Sequence, residues 1–395
     1  MDLQQINIYP FSSASKQETL LMEIDNHFFE ISKDTAELIE YLKNNGNDEE
    51  SINRYIEIYN NKPTKDEIKN LLLSLENKLT RHEKNVVVNN KPFIYHKDFI
   101  SKYSVRRVSD VLKFMFHPLL MAIVILVFIT LELIFFSHSR NAEESLRINI
   151  YLVVGLYIFM ALSSLIHEFG HASACRFYNL PHGNIGFGLY LNLPVFYTDV
   201  THIWKLSRAQ RFVVNFGGVY FQMILLIPIL LTAIFIRNEL LNYIILLMNI
   251  NFTLTMNPFF KFDGYWIMTD LLGVANLRKK GYEWMGYLLS RIRGQDTKEC
   301  SYIKLLSPWT KCGIIIYTVV VNLFFCVYFF YIIPQFFLDF YRTFPERLKQ
   351  LLTELTYQQM PSWGNLQQIV LQLLFFFLFV YLVYKTVLSF IKKRQ

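Results

Sequence analysis

The sequence predicts a multi-pass, all-α membrane protein that carries a small α+β domain at its N-terminal end. Three observations point there. The 395 residues are 53% hydrophobic and 16% aromatic, with 36 Phe, more apolar than an ordinary soluble protein of this size. Charge is segregated: residues 1–90 hold 16 Asp/Glu against 10 Lys/Arg, whereas the rest of the chain holds 16 acidic against 29 basic groups. Six apolar stretches of near-spanning length all lie in that basic second part.

The opening MDLQQINIYPFSSASKQ has neither a basic n-region nor an apolar h-region, so no cleavable signal peptide is expected. After Ala14, ETLLMEI and HFFEI read as two short strands split by the turn signal Asp25-Asn26. Ser32 can cap a helix that turns Ala36, Leu38, Ile39 and Leu42 inward and stops near Asn45-Gly46. Ile52, Tyr55, Ile56 and Tyr59 mark a second helix at i, i+3, i+4, i+7. Thr64 and Glu67 make a capping box for a third, with Ile68, Leu71, Leu72, Leu75 and Leu79 on one stripe. With Val86-Val87-Val88 as an extra strand candidate, residues 1–90 form a winged-helix-like module with one modest core. A head of net charge −6 would repel phosphate, which disfavours nucleic acid as a partner.

Residues 91–115 read as a polar-aromatic linker, and 116–395 as the transmembrane domain. The spans are expected near 116–137, 148–170, 212–236, 241–257, 313–337 and 368–388. With the head inside, the cytoplasmic segments 102–113, 178–211, 259–312 and 385–395 carry 20 Lys/Arg, and the outer loops carry 6. This bias places both termini in the cytoplasm of a cell-membrane protein. Segment 338–366, with Trp363 and the amphipathic FPERLKQLLTEL, is an outer loop that either lies on the membrane face or is a solvated helix. The four cysteines (Cys175, Cys300, Cys312, Cys326) show no metal-ligand spacing and read as free thiols.

The chemistry concentrates in His167-Glu168-Phe169-Gly170-His171, at the end of the second span. On a helix, i and i+4 stack on one face, so both imidazoles can bind one zinc ion. Glu168 is placed to reach a water whose pKa zinc lowers towards ~7, as general base. Interior histidines satisfied by other helices are the alternative. A second polar island, Asn257-Pro258-Phe259-Phe260-Lys261-Phe262-Asp263-Gly264, ends the fourth stretch on the same side. Pro258 and Gly264 break the helix there, and broken backbone at membrane depth must line a cavity or be buried in protein. Asp263 is the carboxylate that would complete a His-His-Asp site; otherwise it caps the helix Tyr265–Leu272. Asn257 is either a substrate-binding amide or a helix-end cap.

Between the islands, Ile185, Phe187, Leu189, Leu191 and Leu193 alternate in the manner of short strands. A free strand edge there could hold an extended peptide by β-augmentation. His182, Asp199 and His202 read as surface or hairpin positions, and Arg208 and Arg211 as a solvated cationic rim.

An intramembrane H-E-x-x-H followed by N-P-x₄-D-G resembles the site-2 protease family of intramembrane zinc metalloproteases, in its branch of peptide-processing relatives. The likeness covers roughly 145–275. It implies one Zn²⁺ per chain held by His167, His171 and Asp263, with Glu168 as catalytic base and a membrane-associated β-hairpin beside the metal. The family's G-P-x-x-N corresponds here to Gly218-Val219-Tyr220-Phe221-Gln222, so Gln222 stands where a substrate-binding Asn is expected. The head is similar to PqqD-like leader-recognition domains, which implies a leader peptide added as a strand beside 28–31. The resemblance thus implies an endopeptidase that matures a ribosomally made, modified peptide. Two other readings remain: a regulatory protease cutting a membrane-anchored signalling factor, and a non-enzymatic peptide export or immunity component.

Overall fold

The computed structural model describes residues 3–59, 63–73, 93–138, 150–190, 193–236, 238–294, 305–357 and 360–394. Two compact units divide the chain: 1–142 with 162–316, and 143–161 with 317–395. The head and the chemistry-bearing helices share the first unit.

The head is built on a three-stranded antiparallel sheet in the order β1-β2-β3. Strands β2 (Thr19–Ile24) and β3 (His27–Ser32) form the expected hairpin. Asp25 and Asn26 adopt φ 48° and 61°, the left-handed pair that a two-residue type I′ turn requires. Strand β1 (Asn7–Pro10) pairs along β2 from Asn7↔Glu23 to Pro10↔Leu20. The sequence pattern shows its first strand only after Ala14 and does not reveal β1, because four residues are too few to show a period.

Ser32 caps α1 (Lys33–Asn45) by accepting from the Thr35 N–H, and Gly46 ends it at φ 95°. Helix α2 (Glu49–Ile58) is capped by Asp48. Helix α3, described over 65–73, opens with the expected reciprocal box. The Thr64 N–H donates to the Glu67 carboxylate at 2.9 Å, and the Glu67 N–H to the Thr64 hydroxyl at 3.4 Å. Ile39, Leu42, Ile52, Tyr55 and Ile68 close over Met22 and Ile24 of β2 as one core. Leu75, Leu79 and Val86-Val87-Val88 lie outside the described residues.

The stretch read as a linker is folded. Strand β4 (Phe93–Ile100) pairs antiparallel with β5 (Ile185–Tyr190), which pairs in turn with β6 (Leu193–Thr198). The sheet order β4-β5-β6 makes β5 internal, so the outer edges of this sheet belong to β4 and β6. Helix α4 (Lys102–Leu112) follows, and its Val105 packs with Ile185 and Ala172. A strand whose partner lies ninety residues away leaves no local mark in the sequence.

Among the described residues, the remaining α-helices are α5 (Pro118–His138), α6 (Ile150–Phe177), α7 (Arg208–Phe235), α8 (Glu239–Thr255), α9 (Asp263–Leu272), α10 (Leu277–Ile292), α11 (Pro308–Val327), α12 (Ile333–Thr356) and α13 (Trp363–Arg394). Five helical runs among the described residues are long and apolar enough to cross a membrane: Pro118–Ser137, Tyr151–Phe177, Arg208–Phe235, Pro308–Thr356 and Gly364–Tyr381. Helix α8, with 17 residues, is the short one the sequence anticipated. A π turn at Tyr328–Ile332 joins α11 to α12, so most of the expected outer loop 338–366 is helix continuous with the span expected at 313–337. Within the second unit, Phe336 meets Phe375 at 4.0 Å and Phe340 stacks on Phe376, which pairs α12 with α13.

The head is pressed onto the body through one face of its sheet. By register, Tyr9, Leu21, Glu23, Phe28 and Glu30 share the face turned away from α1. Leu21 is buried there. Glu23 receives Lys205 at 2.9 Å, and Glu30 receives Lys280 of α10 at 3.3 Å. The Lys205 ammonium also sits 4.4 Å from the Tyr9 ring centre, and His202 meets Phe28 edge-on. Burial works against the Lys205 ammonium, but Glu23 and Tyr9 hold its pKa above the usual lysine value. The strap after β1 adds main-chain bonds: the Ala14 N–H to the Gly273 carbonyl at 2.9 Å and the Lys16 N–H to the Leu305 carbonyl at 2.7 Å. The acidic head and basic body of the sequence thus meet as complementary surfaces.

Candidate metal centre

His167 and His171 lie one turn apart on α6, and their Nε2 atoms are 3.0 Å from each other. Asp263 Oδ2 lies 2.9 Å from His167 Nε2 and 3.2 Å from His171 Nε2. What occupies the other ring nitrogens decides what these three atoms can do. His171 Nδ1 is 2.8 Å from the Val214 carbonyl oxygen, which can only accept, so Nδ1 carries the proton. His167 Nδ1 is 3.2 Å from Gln222 Oε1, while the Gln222 amide nitrogen donates to Ser163 Oγ at 2.9 Å. With each Nδ1 spent on a protein acceptor, both rings turn Nε2 towards Asp263. The buried Asp263 Oδ2 faces these two ring nitrogens. A cation among these three atoms would compensate the buried carboxylate and leave both rings neutral.

The spacing suits such a cation. Ligand atoms 2.0–2.1 Å from a tetrahedral centre are roughly 3.3 Å apart, and two imidazole nitrogens with one carboxylate oxygen are ordinary zinc donors. His167, His171 and Asp263 form one group, among the described residues, that could hold a metal ion. Glu168, 7% exposed, lies between the two histidines in sequence and is buried, as is His171.

Close helix packing makes this convergence achievable. At the α6–α7 crossing, a Cβ on Gly170 would overlap the Gly217 carbonyl, and one on Gly218 would overlap the His167 ring. Gly264 is required for the same reason, because a Cβ there would run into the Met256 carbonyl at the end of α8. The chain between α8 and α9 is broken as expected. Asn257 Oδ1 accepts the Phe259 N–H at 2.7 Å, so this oxygen closes a local turn. Phe262 is the N-cap of α9 and no side chain caps that helix. The Asp263 carboxylate is thus turned to the imidazoles and does not cap α9.

Several sequence expectations change. Arg211 is not on a solvated rim: it is 2% exposed, and its Nε donates to Asp270 Oδ1 at 2.5 Å. Arg208 donates to the Asp270 carbonyl at 2.8 Å and to the Leu271 carbonyl. Arg208 thus caps the C-terminal end of α9, whose last carbonyls need donors, and Arg211 holds the Asp270 side chain. Gln222 is 1% exposed and engaged with His167 and Ser163. Asp199 accepts from the Thr201 N–H and hydroxyl, His182 meets the Gly183 carbonyl, and His202 faces Glu23. These three residues stay outside the metal group.

Sequence reasoning missed Asn215, Asp270 and Ser163. A signal for the first existed: Arg211, Asn215, Gly218 and Gln222 recur at i, i+4, i+7 and i+11. That spacing is one polar face on an otherwise apolar helix.

Comparison with known proteins gives one distant likeness. A Bacillus subtilis (strain 168) protein named "Putative peptide zinc metalloprotease protein YydH" is 24% identical over 173 residues, which is 43% of this chain and 68% of that relative. No protein-family model matches the chain. No solved structure matches it. Over less than half its length, then, this membrane-helix protein is similar to one named for zinc metalloprotease chemistry, and it gathers a His-His-Asp group fit for zinc.

Proposed function

We propose that the chain is an intramembrane zinc metalloendopeptidase that processes a peptide precursor. One observation carries this reading: three acceptor atoms of His167, His171 and Asp263 lie within 3.2 Å of one another with both Nδ1 positions spent on protein acceptors. The name of the distant relative supports the same chemistry. Zinc held there supplies Lewis acidity and makes hydroxide available near neutral pH. Glu168 takes the proton from the attacking water and returns it to the leaving amine, so the peptide C–N bond breaks without charged products accumulating at the buried site. Such proton transfer contributes about 10²- to 10⁴-fold. Val214 and Gln222 hold the imidazoles by their Nδ1 atoms and thereby keep Nε2 free.

In this proposal the body lies in the cell membrane with both termini cytoplasmic, and the PqqD-like head recruits the precursor through its leader. The decisive test is Glu168→Gln in the full-length protein. It is expected to keep one zinc per chain and to lose cleavage of precursor peptides encoded beside the gene, followed by mass spectrometry. Cleavage at the wild-type rate by the purified variant would refute the assignment of Glu168.

A further inference from the structure

Helix α9 contains only two charged residues, Asp263 and Asp270. Seven residues apart, they lie on nearly the same face, about 10 Å from each other along the axis. Asp263 meets the imidazoles of α6. Asp270, 4% exposed, meets α7: Oδ1 accepts from Arg211 Nε at 2.5 Å and Oδ2 from Asn215 Nδ2 at 2.8 Å. The guanidinium is used further, with Nη1 on the Leu206 carbonyl at 2.9 Å and Nη2 on the Ser12 carbonyl of the head strap at 3.2 Å. The next residue of α7 before Asn215 is Val214, whose carbonyl orients His171. One turn of α7 thus holds both a metal-site histidine and the far end of the helix that brings the carboxylate.

A ten-residue helix between two chain breaks cannot fix its own axial position by apolar contact, which is non-directional. A carboxylate held at both oxygens by donors on a neighbouring helix can fix it. We propose that Asp270 is a positioning residue for the metal site: clamped by Arg211 and Asn215, it sets α9 against α7 so that Asp263 reaches His167 and His171. The Ser12 carbonyl, by accepting from the same guanidinium, ties the head strap into the clamp. This inference rests on the reading of His167, His171 and Asp263 as metal ligands.

The test uses the full-length protein purified in detergent, with Co²⁺ as a spectroscopic probe and zinc affinity measured by chelator competition. Asp263→Ala is the reference for loss of a ligand. Asp270→Asn and Asp270→Ala are expected to weaken metal binding about 10- to 100-fold, as loss of a group that orients a ligand does, and to change the Co²⁺ ligand-field bands. Asn215→Ala, a milder lesion, is expected to weaken binding less and to remain folded if the Asp270 variants do not. Unchanged affinity and bands in the folded Asp270 and Asn215 variants, whatever their melting temperature, would overturn the positioning role. Unchanged metal binding in Asp263→Ala would instead overturn the ligand assignment itself, so the two failures are distinguishable.

Discussion

Gly218 of α7 lies directly against the imidazole of His167, with no room between them for a methyl group. The contact explains why a helix otherwise rich in Leu and Ile carries a Gly-Gly pair at this level. It also means that α7 shapes the candidate metal site by closeness as well as by hydrogen bonds.

Gly218→Ala should therefore displace the His167 ring. The expected outcome is loss of metal stoichiometry by elemental analysis, together with a lower melting temperature. Gly155→Ala, where a Cβ would meet nothing within 4 Å, is the control and should match wild type in metal content.

Gln222 is placed to set the tautomer and tilt of His167. Gln222→Leu should weaken zinc binding by about 10- to 100-fold, read by chelator competition. Gln222→Glu, which keeps an acceptor at that point, should retain most of the affinity. If both variants bind zinc as tightly as wild type, the hydrogen bond to His167 is idle.

In the proposed zinc site, removing the metal would take the compensating cation away from the buried Asp263 carboxylate. A chelator is expected to lower the melting temperature, and added zinc to restore it. At a hundredfold excess over Kd the recovery corresponds to about 2.7 kcal/mol. His167→Ala should abolish this zinc-dependent shift.

The head–body contact is testable by charge exchange. Lys205→Glu and Glu23→Lys should each expose the head to limited proteolysis, and the double exchange should restore protection. A coupling of about 1 kcal/mol is expected for this half-buried pair. Additive single effects would mean that the pair contributes nothing to docking.

Local patterns were legible in the sequence where one residue type answers one local need. Asp25-Asn26, the Ser32 cap and the Thr64/Glu67 box are read within four residues, and each is present. The same holds for the pentad, since i and i+4 share a face whatever the tertiary fold. Long-range partners were not legible. β4 finds β5 across ninety residues, and Arg211 finds Asp270 across fifty-nine. Arg211 reads as a headgroup cation because nothing within its own turn reveals a buried carboxylate from another helix.

The seating of the head sheet separates its docking from its folding. Tyr9, Glu23, Phe28 and Glu30 face the body, while Met22 and Ile24 face Ile39 and Leu42 in the head's own core. Undocking would therefore uncover one side of the sheet and leave the other side packed.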